Sequence, residues 1–231
     1  MRQYRQWCSV FLMALAMAKT GVVWGQQGFD IKVTGTIQPA ACEAVITGGD
    51  TFDFGNIPAG SLEQDTFTYL GMRQTGFRIH CLTPTRLMLQ PRDNREGTTG
   101  SLMPGDDSRE TYFGLGMDSR NSPIGGWMAS IGSLLVDGGN DLAVISTRDN
   151  GRTWRPSLTI DVPNNVIPFW RYKAEVPDLY SIAKAGETTP RAFSLLSGTL
   201  TAEVYITSAS TLNTSGQLPF NGSMTVEMIY L

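Results

Sequence analysis

The sequence is short of the residues that most catalytic and metal sites need. Its 231 residues include one histidine, His80, and three cysteines, Cys8, Cys42 and Cys81. A zinc site takes three or four ligands. The sequence has no Cys-x-x-Cys pair, His-Glu-x-x-His, Gly-x-Ser-x-Gly or phosphate-binding loop. It therefore predicts a non-enzymatic protein with no metal and no cofactor.

Clustered basic residues and long apolar runs are also missing. The 18 Lys and Arg residues are scattered and stand against 21 Asp and Glu, a net charge of −3, whereas a nucleic-acid site needs a concentrated positive face. One apolar run, from Cys8 to Ala18, is too short to span a bilayer. We predict that the mature protein binds no nucleic acid and has no membrane span.

Residues 1–25 are predicted to form a secretory signal peptide. Arg2 and Arg5 place positive charge before the apolar run, and small residues follow it. Cleavage after Ala18 or after Gly25 fits this pattern, and we favour Gly25 because the residues between them lack a strand pattern. Without residues 1–25 the chain keeps 15 basic and 21 acidic residues, a net charge of −6.

The two cysteines of the mature chain are predicted to pair with each other. Cys8 leaves with the signal peptide, so Cys42 and Cys81 remain. An even pair in an exported protein is most simply one disulfide.

The remaining sequence alternates apolar and polar residues over short stretches. It contains 25 Gly and 12 Pro, which separate these stretches as turns. Phe77, Ile79 and Cys81 share one face, so we expect His80 to point outward. No convincing helix, repeat or linker interrupts the pattern. The sequence predicts one all-β domain over residues 26–231, a β-sandwich rather than a barrel.

One stretch resembles a motif of glycan-cleaving enzymes. Residues 147–154, TRDNGRTW, match the T-x-D-x-G-x-T-W pattern of the Asp-box on sialidase-type β-propellers. A propeller needs at least four blades, and the motif occurs once. We predict a hairpin that turns at Asp149–Gly151 and returns at Thr153 and Trp154. Trp127 and Trp154 are kept as candidates for a glycan contact, beside the alternative that they pack in the core.

Several segments resemble chaperone–usher pilus subunits. They are VTGTIQPAACEAVI (33–46), FDFGNIPAGSL (52–62), FRIHC (77–81), NNVIPFWRYKA (164–174) and the penultimate Tyr230. The segments YFGLG, IGG, DNGRTW and LTAEVYIT further resemble fimbrial-like exported proteins grouped as DUF1120.

The resemblance implies an immunoglobulin-like pilin sandwich that is incomplete and is completed by a donated strand. A periplasmic pilus chaperone would lend this strand, and a neighbouring pilus subunit would replace it at the outer-membrane usher. The recognition edge would be the last strand, with Met224, Val226, Met228, Tyr230 and Leu231. Because only Gln26–Phe29 would precede Asp30 after cleavage, we expect the protein to accept a strand better than it donates one.

The expected function is that of a structural, minor or tip subunit that contributes to cell adhesion. The protein would pass through the periplasm to a cell-surface fimbrium of a Gram-negative bacterium. Two alternatives stay open. One is a carbohydrate-binding adhesin or lectin-like module that uses Trp127 or Trp154. The other is a self-complete periplasmic β-sandwich.

Overall fold

The computed structural model describes residue 32 and residues 41–101, 112–157, 165–169 and 178–231. The chain divides into two compact units, Met1–Gln38 and Pro39–Leu231. The predicted signal peptide, residues 1–25, and the segment 26–31 that follows it lie outside the described residues. So do residues 170–174 of the fourth pilin-like segment.

The described residues form eleven β-strands and two short 3-10 helices, Ala59–Ser61 and Ala209–Thr211. The strands are β1 (Cys42–Ile46), β2 (Thr68–Thr85), β3 (Leu87–Asp93), β4 (Phe113–Gly114), β5 (Gly125–Val136), β6 (Ala143–Thr147), β7 (Arg155–Pro156), β8 (Ile167–Phe169), β9 (Leu179–Ala183), β10 (Phe193–Ile206) and β11 (Met224–Tyr230).

The strands build two antiparallel sheets in a sandwich-like arrangement, which confirms the all-β prediction. The first sheet has the order β1-β2-β10-β5-β4, with β8 also paired to β5. The second has the order β11-β3-β9-β6-β7. The chain passes from the first sheet to the second at Arg86, between β2 and β3.

The hydrophobic core lies on the inner faces of both sheets. Ile79 of β2, Ile131 of β5 and Leu196 of β10 come from the first sheet and are almost fully buried, as is Ile182 of β9 in the second. Each such side chain stabilises the fold by roughly 1.5–3 kcal/mol relative to exposure. His80 is exposed between buried Ile79 and Cys81, so the predicted alternation of this strand is correct.

The predicted disulfide is confirmed. Cys42 of β1 and Cys81 of β2 lie directly opposite each other, with their Cα atoms 4.0 Å apart, and are covalently bonded. The bond fastens β1 to its neighbour β2.

The Asp-box segment is a hairpin between β6 and β7, as predicted. Asn150 and Gly151 have φ angles of 56° and 83°, the left-handed conformation that this turn requires. The return strand begins at Arg155, two residues later than we predicted from Thr153. The backbone amide of Thr153 donates to the carboxylate of Asp149 at 2.9 Å. Thr153 therefore belongs to the turn and not to the return strand.

Candidate functional site

The last strand, β11, forms one edge of the second sheet. Its pairing with β3 is bounded by two hydrogen bonds, from the Asn94 amide to the Ser223 carbonyl at 3.0 Å and from the Leu231 amide to the Arg86 carbonyl at 3.1 Å. Because paired residues alternate along an antiparallel ladder, the even-numbered residues of β11 direct their N–H and C=O groups away from β3. Among the described residues, no strand pairs with that side of β11.

The same even-numbered residues carry the apolar side chains that pack against the core. Met224, Val226 and Met228 are half-buried and pack against the core. Tyr230 is 46% exposed at the end of the strand. A strand laid along β11 would therefore meet free backbone groups and apolar side chains at the same residues.

Among the described residues, β1 forms the corresponding edge of the first sheet. The Leu82 amide donates to the Ala41 carbonyl at 3.0 Å and the Thr47 amide donates to the Gly76 carbonyl at 2.8 Å. By the same alternation, Cys42, Ala44 and Ile46 direct their backbone groups away from β2. Ala44 lies between two core-facing residues and is exposed nevertheless. The described part of the chain therefore leaves the inner face incompletely covered along β1.

Tyr230 joins these two edges. Its hydroxyl accepts a hydrogen bond of 3.0 Å from the amide of Cys42, so the end of β11 lies beside the start of β1. The edge strands of both sheets thus face the same side of the sandwich. We call this side the open edge: β1, β11 and the half-buried apolar side chains that pack against the core between them, Ile46, Phe77, Met224, Val226 and Met228.

Trp127 lies near the start of β11 and inside the sandwich. Its ring packs on Phe113, with centroids 5.5 Å apart, and contacts both hydrophobic clusters of the core. Its Nε1 is buried and has no hydrogen-bond partner within the described ranges. A Cβ atom at Gly222 would clash with this nitrogen. Trp127, a candidate for glycan contact, therefore has a packing role at this end of the strand.

Trp154 lies near the other end of β11, on the Asp-box hairpin. A Cβ atom at Gly151 would stand 3.5 Å from the Trp154 ring and 3.6 Å from Leu231 Cδ2. Seven strand residues separate the ends of β11, about 23 Å of extended chain. The structure therefore does not bring the two tryptophans together into one site.

The polar groups of the Asp-box hairpin support its turn. The Asp149 carboxylate accepts hydrogen bonds from the hydroxyls of Thr147 and Thr153, at 2.6 and 2.5 Å. These bonds, with the one from the Thr153 amide, hold the pKa of Asp149 well below its usual range. A carboxylate that stays ionised cannot serve as a general acid near neutral pH. This hairpin is suited to structure rather than to proton transfer.

A shallow cavity of about 370 Å³ adjoins the hairpin and is lined by Arg148, Trp154 and Arg155 among others. Both arginines bind Asp178: Arg148 forms two bonds of 2.8 and 3.1 Å, and Arg155 forms one of 3.0 Å. The ion pairs use the guanidinium groups to fasten the hairpin to the residue before β9. Within the described part of the chain, no three His, Cys, Asp or Glu residues lie close enough together to hold a metal ion.

The sequence interpretation missed the β1 half of the open edge. The alternation of Cys42, Ala44 and Ile46 is visible in the sequence. Alternation shows that a segment is a strand with one buried face, but it does not show whether the strand lies at the edge of a sheet. The bond between Cys42 and Tyr230 joins residues 188 positions apart, a distance over which no local pattern carries information.

Residues 31–128 match the family model described as "Protein of unknown function (DUF1120)". Two similar proteins come from Escherichia coli (strain K12). "Protein GltF" is 24% identical over 229 residues, 87% of this chain and 88% of its own length. "Uncharacterized protein YhcF" is 24% identical over 226 residues, 87% of this chain and 89% of its own length. The match supports the resemblance to the DUF1120 proteins, and the resemblance to pilus subunits stays a prediction.

The disulfide is consistent with a periplasmic or secreted protein. No helix among the described residues is long and apolar enough to cross a membrane.

Proposed function

We propose that the protein is a non-enzymatic structural, minor or tip subunit of a chaperone–usher fimbria and that the open edge accepts a donated strand. The observation that carries the proposal is the coincidence on β11: Met224, Val226 and Met228 present outward backbone groups and core-facing apolar side chains together. A single inserted strand can use both.

An inserted strand would be held by two kinds of interaction. Each of these three residues of β11 offers one N–H and one C=O group, and each backbone hydrogen bond contributes roughly 0.5–1.5 kcal/mol net. Apolar side chains of the donor would cover Ile46, Phe77 and their neighbours in the open edge, at roughly 1.5–3 kcal/mol for each one fully buried. Alternate donor side chains would supply the specificity.

The partners follow from the sequence resemblance to pilus subunits. A periplasmic pilus chaperone would cover the open edge first, since an uncovered apolar edge strand invites aggregation. At the outer-membrane usher, a neighbouring pilus subunit would replace it, and the protein would reach a cell-surface fimbrium and contribute to adhesion. Tyr230 and Leu231, 46% and 51% exposed, would be accessible to the chaperone at the chain end.

The test is chaperone capture in the periplasm of a Gram-negative host, with the chaperone identified by its co-purification with the unaltered protein. Val226→Lys, or Met228→Lys together with Tyr230→Lys, should abolish capture and lead to degradation, because a charge would enter the open edge. Deletion of residues 229–231 should do the same. Thr225→Lys is the matched control, because Thr225 is exposed on the opposite face of β11.

Unchanged co-purification of the open-edge variants would refute the proposal. A wild-type monomer that refolds alone and never binds a chaperone would favour the self-complete periplasmic sandwich instead. Disulfide content and circular dichroism of each variant separate a loss of capture from a loss of folding.

A further inference from the structure

An aromatic cluster lies on the outer face of the first sheet, away from the open edge. Tyr205 of β10 is its centre, and three rings surround it, with centroid distances of 4.9 Å to Tyr69, 5.3 Å to Tyr112 and 5.7 Å to Phe67. Tyr69 is 44% exposed. The part of β2 that carries Tyr69 extends beyond its pairing with β1, which covers Phe77 to Cys81. A strand in the open edge would leave this cluster accessible.

A β-bulge places Tyr69 in the cluster. Val204 pairs with Gly71 and Tyr205 pairs with Tyr69, so β2 contains one extra residue, Leu70. Gly71 adopts a φ of 89°, the left-handed conformation typical of such bulges. The extra residue turns Leu70 inward, where it packs on the second hydrophobic cluster, and turns Tyr69 outward beside Tyr205. Bulges that redirect a side chain are common next to functional sites.

A carboxylate is fixed at the edge of these rings. Oε2 of Glu203 accepts hydrogen bonds from the hydroxyls of Tyr69 and Tyr205, both at 3.3 Å. Burial, followed by the charge of Glu203, raises the pKa of both phenols, so they stay protonated donors at physiological pH. The cluster therefore combines stacking surface with an oriented hydrogen-bond acceptor.

Uncharged polar groups continue the surface along the strands. Gln74, Thr201 and Ser130 lie side by side on β2, β10 and β5, and the Gln74 amide donates to the Thr201 hydroxyl at 3.1 Å. The distance from Tyr205 to Thr201 along β10 is about 14 Å. Met72, 51% exposed, lies between these two rows.

We propose that this face, with Tyr69, Tyr205 and Glu203 at its centre, binds a neutral saccharide. The apolar C–H faces of a sugar ring can stack on tyrosine rings, and its hydroxyls can donate to Glu203 and bond to the amide and hydroxyl row. The carboxylate disfavours phosphate-containing and acidic ligands. This site is separate from the strand-accepting open edge and does not depend on it.

The experiment is an array of neutral and N-acetylated oligosaccharides probed with the purified mature protein, followed by calorimetric titration of the oligosaccharides that bind. Tyr69→Ala should weaken binding at least about tenfold, because it removes the accessible ring. Tyr69→Phe keeps the aromatic ring and should therefore lose less binding affinity than Tyr69→Ala. Glu203→Gln should change the preference among sugars, because the amide presents a donor where the carboxylate accepts.

Leu135→Ala is the matched control. Leu135 is 41% exposed at the other end of the same sheet face, so its variant should bind within about twofold of the wild type. If Tyr69→Ala does not fold, Met72→Glu takes its place, because it replaces an exposed apolar side chain with a charged, solvated one and so removes surface on which the apolar face of a sugar could pack.

Three results would overturn the proposal. They are an array on which no oligosaccharide binds, equal affinity of the Tyr69 and Leu135 variants, and a protein partner held on this face that bound saccharide does not displace.

Discussion

At the scale of single residues, the contact between Gly222 and Trp127 shows how closely the chain is packed where β11 begins. The missing side chain of Gly222 leaves room for the buried indole nitrogen, and a Cβ atom there would clash with it. The indole connects the two hydrophobic clusters, so displacing it affects both.

Gly222→Ala is predicted to lower the free energy of unfolding by roughly 1–3 kcal/mol, the usual cost of overpacking. Gly216→Ala is the control, because a Cβ atom at Gly216 meets nothing within 4 Å. That variant should be neutral or more stable by about 0.4–1 kcal/mol. Urea unfolding of both variants measures the difference, and equal midpoints would contradict the packing argument.

Asp149 should make the stability depend on acid pH. Hydrogen bonds from Thr147 and Thr153 lower its pKa in the folded state, so its contribution is present above the unfolded pKa of about 3.9 and is lost as the pH falls through the lower folded value. Asp149→Asn should therefore show a smaller drop in melting temperature between pH 5 and about pH 2.5. Asp65→Asn, at an exposed position, should retain the wild-type drop, and identical curves for all three proteins would count against this role.

At the scale of the strand, β11 has two sets of amides with different surroundings. The amides of Thr225, Glu227 and Ile229 point to β3, whereas those of Met224, Val226 and Met228 point to the open edge. Backbone amides along β11 should therefore alternate between slow and fast hydrogen exchange.

Hydrogen exchange in the protein without a partner should be at least about tenfold faster at Met224, Val226 and Met228 than at Thr225, Glu227 and Ile229. Binding of the chaperone should slow the first set and leave the second nearly unchanged. Amides of central β10, such as that of Ala202, serve as the protected reference. Uniformly slow exchange along free β11 would mean that its edge is already covered.

At the scale of the whole molecule, the disulfide closes a loop between Cys42 and Cys81, which are 39 positions apart in the sequence. In the chain-entropy model, such a loop stabilises the fold by roughly 4 kcal/mol. Cys42→Ser with Cys81→Ser should therefore lower the unfolding free energy by about 2–5 kcal/mol.

Thiol titration of the denatured, unreduced mature protein should find no free thiol, and two reactive thiols would contradict the pairing in solution.

The sequence predicted individual strands better than their arrangement. Alternation at Phe77, Ile79 and Cys81 and at Met224, Val226 and Met228 is visible because one buried face imposes a period of two. The pairing of β11 with β3 joins residues more than 130 positions apart, and local pattern carries no such information. The aromatic cluster was missed for a further reason: the extra residue of the β-bulge, Leu70, reverses the alternation of β2, so Tyr69 and Tyr205 could not be assigned to one face.

The amide of Cys42 donates its hydrogen bond to the hydroxyl of Tyr230, so an incoming strand that pairs with β1 competes with Tyr230 for this amide. A strand that pairs with β1 at Cys42 needs the amide that now binds the phenol, whereas a strand that pairs with β11 alone does not. Pairing at this position of β1 breaks the hydrogen bond between Cys42 and Tyr230, and the incoming strand has to replace that bond with one of its own. The ultraviolet difference spectrum on binding, compared between the wild type and Tyr230→Phe, would then distinguish an inserted strand that pairs with both edges from one that pairs with β11 alone.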